Sequence, residues 1–232
     1  MGSILSIGDC NTLGAGEMEY RSYPERFGAR IGKKVLNRGV TMSTTREGIR
    51  LLSDNLDSSV DLLSIQFGLV DSWRTFRYAP YVLYYPDNIF RKAARKVVKK
   101  YKKLCRNAGC NRALGEKFLV SAEEYEANLL RMIEIARSTR GDDISILLVD
   151  TAPNKDTKRN GYIMEYNSIM TDIAGRYGGV HKVDIYQYLL DNMNKYYLDN
   201  THLNEAGCDL VAAELERVYR TLCDQEDTDL LA

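Results

Sequence analysis

The feature that most constrains this chain is a rhythm of short apolar runs separated by helix-like stretches. Ile4 to Gly8, Val35 to Val40, Val60 to Phe67, Ile144 to Val149 and Val180 to Ile185 each read as a buried strand. Helical patterns lie between them. Tyr23 to Lys34 has Pro24 in its first turn, and Ser43-Thr44-Thr45 offers caps for a helix through Leu56. Ser121-Ala122-Glu123-Glu124 opens a helix to Ser138 in the form of a capping box. Tyr162 to Tyr177 and Asn204 to Leu222 complete the set, and the acidic tail beyond Asp224 is expected to fray. Strands alternating with helices favour a parallel sheet, because parallel neighbours need a crossover and the crossovers cover both faces. The expected fold is α/β: a flavodoxin-like three-layer α/β/α sandwich on a five-stranded parallel sheet, with residues 1–232 as a single domain.

The rhythm pauses once, at an insertion over 72–118. Its first half is aromatic, with Trp73, Phe76, Tyr78, Tyr81, Tyr84, Tyr85 and Phe90. Its second half, Arg91 to Arg106, has a helical stripe of Ala93, Ala94, Val97, Val98, Tyr101, Leu104 and Cys105, with nine Lys/Arg covering the rest. The whole chain has zero formal net charge, yet 73–118 holds thirteen Lys/Arg against two Asp/Glu. A basic amphipathic helix can be merely a solvated face, or it can meet anionic material. The expected partner of Arg91–Arg106 is an anionic membrane or glycan, with nucleic acid ranked below them. The insertion is also expected to act as a lid.

Other classes recede on the same reading. No run approaches the roughly 18 apolar residues of a membrane span, and no basic-then-apolar leader opens the chain, so the expected location is cytoplasmic, peripheral at the membrane. Cys10, Cys105, Cys110, Cys208 and Cys223 are odd in number and scattered, as reduced thiols are. Cys105 and Cys110 form the only near pair, too little for a zinc site, so no metal is expected. Gly14-Ala15-Gly16 lacks the third glycine of a dinucleotide fingerprint, and no cofactor is expected.

Two stretches carry chemistry. The first apolar run stops at Gly8-Asp9-Cys10, at the carboxyl end of a strand, where open α/β sheets place their sites. Asp199-Asn200-Thr201-His202 lies almost 200 residues on. If the fold joins them, Cys10 is a nucleophile, His202 its base and Asp199 the orienting carboxylate. Backbone N–H groups at the turn would favour a thiolate paired with a His202 imidazolium. The competing readings are a small buried cysteine at 10 and a helix-capping histidine at 202. His181, at the start of the fifth strand, reads as structural.

With these residues the chain resembles the SGNH (GDSL-type) hydrolases. That family has Gly-Asp-Ser after the first strand, where this chain has Gly8-Asp9-Cys10. Its second block is a glycine after strand two, matched by Asn37-Arg38-Gly39. Its third is Gly-x-Asn-Asp, here Gly68-Leu69-Val70-Asp71. Its last is Asp-x-x-His, matched by Asp199 to His202. The resemblance covers everything but 72–118. It implies an oxyanion hole built from the N–H groups of Cys10 and Gly39, and Val70 stands where the family has an amide donor. Asn11 and Asn37 are the nearest amides to replace it. Asp9, Gly68, Val70, Asp71 and Trp73 would line the substrate. The activity implied is hydrolysis or transfer of acyl groups on an O-acylated saccharide, lipid-linked ones included. The alternative is an SGNH-fold protein that binds glycan or lipid without turnover.

Overall fold

The computed structural model describes residues 2–142 and 144–229. The elements run β1 (Ser3–Gly8), α1 (Cys10–Leu13), α2 (Tyr23–Ile31), β2 (Lys34–Gly39), α3 (Thr45–Asn55), β3 (Val60–Gln66), β4 (Arg74–Phe76), α4 (Ile89–Asn107), α5 (Cys110–Leu114), β5 (Glu116–Phe118), α6 (Ala122–Arg140), β6 (Ser145–Val149), α7 (Asn160–Arg176), β7 (Val180–Val183), α8 (Tyr186–Asp191), α9 (Met193–Tyr196) and α10 (Glu205–Asp229).

The apolar runs form one parallel sheet of five strands in the order β2-β1-β3-β6-β7. Successive side chains of a strand point to opposite faces, and the two faces feed two cores. Leu5, Ile7, Leu63 and Ile65 pack beneath α3, α6 and α7, where Leu52, Met132 and Met170 meet them. Ile4, Leu62, Leu147 and Val149 pack beneath α2 and α10, against Phe27, Val211 and Leu215. Runs apolar at every position are therefore what a sheet covered on both sides needs.

The chain lays β2 on one side of β1 and β3 on the other. The topological switch of the sheet thus falls at β1, and the crevice beyond its carboxyl end is where such folds hold ligands. Cys10 is the second residue past that end.

Several details differ from expectation. The stretch after β1 begins with the four-residue helix α1, too short to be read from sequence. The insertion closes at its base with a two-stranded antiparallel ribbon, β4 against β5, from Arg74–Phe118 to Phe76–Glu116. Three-residue strands carry too little periodicity to be read from sequence. The last helix runs to Asp229. Thr44 and Glu47 form a full capping box at α3. Ser121 does cap α6, but Glu124 turns away to pair with Arg46, so that box is half made.

Candidate active site

Gly8 sets the geometry of the turn. A Cβ there would lie 2.0 Å from Thr12 Oγ1 and 2.5 Å from the Gln66 carbonyl, so only glycine lets α1 fold back onto β1. Asp9 caps α1 by accepting the Asn11 N–H at 2.9 Å. Cys10 follows as the first helical residue.

Cys10 is 6% exposed and packs with Leu69, Ile163 and Tyr186. Burial pushes its thiol up, and the charges of Asp9 and Asp199 add to the effect. The N–H groups of Cys10 and Asn11 pull the other way without prevailing. Apolar packing thus works against the expected thiolate–imidazolium pair and favours the neutral thiol.

The base loop stands on its own carboxylate. His202 Nδ1 lies 2.7 Å from Asp199 Oδ2, and Asp199 Oδ1 accepts the N–H groups of Thr201 at 2.7 Å and His202 at 2.8 Å. Burial opposes ionisation of Asp199, but these bonds from His202 and Thr201 together hold it below the usual carboxylate range.

One side chain joins the two stretches. Asn11 Nδ2 donates to the Thr201 carbonyl at 3.2 Å, and Asn11 Oδ1 accepts the Leu203 N–H at 3.3 Å. The residue after Cys10 thus grips the loop on both sides of His202. Asn154 adds a second anchor, donating to Thr201 Oγ1 at 3.1 Å. The fold brings Cys10, Asp199 and His202 to one region. His181 lies within β7, opposite Leu147, where burial lowers its imidazole pKa.

The sequence-derived oxyanion donors are placed differently. The Gly39 N–H donates to Asn37 Oδ1 at 2.9 Å. Asn37 Nδ2 is held by the Thr12 carbonyl and Glu25, each at 2.8 Å. With Asn11 also engaged, all three amides secure the scaffold. Met42 was not legible in the sequence. It adopts a left-handed φ of 67°, which for a residue with a Cβ costs roughly 1–2 kcal/mol. Its N–H has no partner among the described residues. Its loop sits directly on the nucleophile turn, because the Val40 N–H and Ser43 Oγ both donate to the Gly8 carbonyl.

The residues expected to line substrate divide sharply. Asp9, Val70 and Asp71 are no more than 1% exposed and Gly68 is also buried, so they support the site from behind. Gly68 has φ 129°, and a Cβ there would lie 2.2 Å from Thr151 Oγ1. Asp71 Oδ1 accepts the Thr45 N–H at 2.9 Å and hydroxyl at 2.6 Å. The Oδ2 atoms of Asp9 and Asp71 are buried without a partner among the described residues. Burial raises Asp9 to about 7 and Asp71 to about 6.

Trp73 alone of that group is half-buried, and it leads to a residue that sequence reasoning missed. The Arg159 guanidinium lies 5.2 Å over the Trp73 ring, and its Nη2 donates to the Leu69 carbonyl at 2.7 Å. Leu69 is part of the wall of Cys10, so a fixed cation stands one residue behind the thiol. An arginine at the end of a short 3-10 turn, beside Lys158, gives no sequence signal of such a role.

A parallel sheet that switches direction at β1, a Gly-Asp-Cys turn after that strand and an Asp–His loop before the last helix define the α/β class to which SGNH hydrolases belong. Residues 6–210 match the model of the GDSL-like lipase/acylhydrolase family, and the chain belongs to that family. Solved structures share the fold at low identity. A lipolytic protein of the G-D-S-L family from Desulfitobacterium hafniense DCB-2 is 18% identical, with TM-score 0.64 over 94% of this chain and 99% of that one. A G-D-S-L lipolytic protein from Veillonella parvula DSM 2008 is 14% identical, with TM-score 0.62 over 95% and 99%. An acetylxylan esterase from Geobacillus stearothermophilus, as a catalytic mutant, is 18% identical, with TM-score 0.58 over 94% of each chain. No curated protein matches the sequence.

Proposed function

We propose that the protein hydrolyses or transfers acyl groups through Cys10, His202 and Asp199. The observation that carries this reading is Asn11, whose two bonds to Thr201 and Leu203 tie the base loop to the residue beside the thiol. The neutral thiol fits a general-base mechanism. His202 Nδ1–H donates to Asp199, which leaves Nε2 to take the thiol proton as Sγ attacks the acyl carbon. The carbonyl oxygen becomes an oxyanion, served by the N–H groups of Cys10 and Met42, with Arg159 supplying positive charge that Val70 cannot. Collapse returns the proton from His202 to the departing alcohol and leaves a thioester on Cys10. Water, or an acceptor hydroxyl, then attacks the thioester with the same base.

The substrate class we favour is an O-acylated saccharide, lipid-linked ones included. The acetylxylan esterase among the structural neighbours and the aromatic, basic insertion beside the site support it. A second reading, ligand binding without turnover, is favoured by the buried, raised thiol and by Val70. Incubation with p-nitrophenyl acetate separates the two. The enzyme acquires an acetyl group on Cys10 by mass spectrometry, and Cys10→Ala loses both adduct and nitrophenol release. Unchanged turnover in Cys10→Ala, or no adduct with the wild type, rejects the mechanism.

A further inference from the structure

The insertion carries a surface that the chemistry at Cys10 does not use. Helix α4 spans Ile89–Asn107 and has no buried residue. Its inner side is held by the insertion itself. Arg91 donates to the Pro86 carbonyl, and Arg95 to the Leu83 carbonyl and Asp87, while Ala94, Val98 and Cys105 are half-buried.

The outer side is another matter. Phe90, Ala93, Val97 and Leu104 fall three, four and seven residues apart, which places them on one stripe, with Tyr101 at its inner margin packed edge-on against Phe76. Phe90 is 82% exposed, Leu104 69%, Val97 67% and Tyr101 47%, with Ile89 beside them at 76%. Large apolar side chains scattered singly over a surface are ordinary, but a continuous stripe of them marks an interaction face. Farther round the exposed side run Lys92, Lys96, Lys99, Lys103 and Arg106, at the same spacings, with Lys100 between them and the stripe. Only Lys92 of these has a carboxylate partner among the described residues, Asp87 at 3.2 Å.

We infer that α4 is an interfacial helix that lays its apolar stripe into an anionic lipid surface, with its lysines on the headgroups. The pairing of features selects the partner. A polyanion such as a nucleic acid or acidic glycan needs the lysines but has no use for exposed Phe90, Val97 and Leu104. A neutral apolar partner needs the stripe but not five aligned cations. A layer of acyl chains under negative headgroups takes both. No helix among the described residues is long and apolar enough to cross a membrane, so the contact is peripheral. The inference does not depend on the acyl-transfer mechanism.

Co-sedimentation with vesicles tests it. The protein pellets with phosphatidylcholine vesicles that contain phosphatidylserine and stays largely in solution with phosphatidylcholine alone. Phe90→Ser with Leu104→Ser weakens that binding about tenfold or more, and so does Lys96→Glu with Lys103→Glu, with far-UV circular dichroism unchanged for these exposed positions. The inference is overturned if the mixed vesicles bind no better than phosphatidylcholine. It is also overturned if the Ser variant binds as well as wild type, which would make α4 a polyelectrolyte site. A dimer that dissociates on Phe90→Ser, with no vesicle binding, would assign the stripe to a second copy of the chain.

Discussion

At the scale of single residues, the site depends on side chains that never touch a reacting atom. Asn11 is the main one. Its replacement by alanine leaves the buried Leu203 N–H unpaired, which costs about 1–3 kcal/mol. It also frees the loop that holds His202, and a displacement of about 1 Å in a reacting group can cost about 10²-fold in rate. Asn11→Ala is therefore expected to lower urea stability modestly and p-nitrophenyl acetate kcat steeply, with KM little changed. Arg159 is expected to act on rate alone: Arg159→Met should lower kcat by about 10²-fold, the loss typical of one oxyanion donor. The same change removes a cation from the face of the chain's one tryptophan, so Trp73 emission should shift in parallel. Cys10, Asp199 and His202 were legible as motifs, because local sequence dictates the turn and the i,i+3 carboxylate–imidazole pair. Met42 and Arg159 were not. Each owes its place to a neighbour distant in sequence, Gly8 for the one loop and Leu69 and Trp73 for the other residue, and no local pattern records such meetings.

At the scale of elements, one carboxylate serves both a helix cap and the aromatic half of the insertion. Glu47 is fully buried in the first turn of α3, and it accepts four bonds: from the Thr44 N–H and hydroxyl, the Tyr81 hydroxyl and the Tyr84 N–H. The first two cap the helix, and the last two bind the aromatic half of the insertion. Tyr81→Phe removes the hydroxyl's contacts with Glu47 and with the Met42 carbonyl and leaves the cap intact. It should cost about 1 kcal/mol and raise amide hydrogen exchange over 78–88, with α3 unaffected. Exchange that rises equally in α3 would mean that cap and insertion do not separate. The sequence announced the insertion by its composition and charge. It could not announce the β4–β5 ribbon, whose three-residue strands are stabilised by pairing with each other over forty residues apart and not by any preference of their own.

At the scale of the molecule, the parallel sheet and its two covered faces were the most legible features, since five largely apolar runs alternating with helices leave little choice but a sheet covered on both sides. The buried acids were the least legible, because nothing local says that Asp9 and Asp71 will lose water. Their consequence is a stability that depends on pH. Both carboxyls sit above the ordinary 3.8 in the folded state, Asp9 at about 7 and Asp71 at about 6. The folded protein therefore holds protons that the unfolded chain releases. Stability is full below the unfolded value and is lost as pH rises through 6 and 7. Asp71→Asn keeps an acceptor for Thr45 and cannot ionise. The unfolding free energy of wild type, read from urea titration, is expected to fall relative to Asp71→Asn between about pH 4 and pH 8, reaching a difference on the order of 3 kcal/mol. A gap that stays constant with pH would show that ionisation is not its source.

The bond between Asn11 and Thr201 spans 190 residues. It means that the Gly8-Asp9-Cys10 turn and the loop that carries His202 are joined by folding and by nothing local. Asn11 makes neither of its bonds until residues near 200 return to β1, by which stage both cores can close around the sheet. A chain cut before Thr201 keeps the turn and loses the tie, so the join between the two stretches is made among the last contacts of the fold.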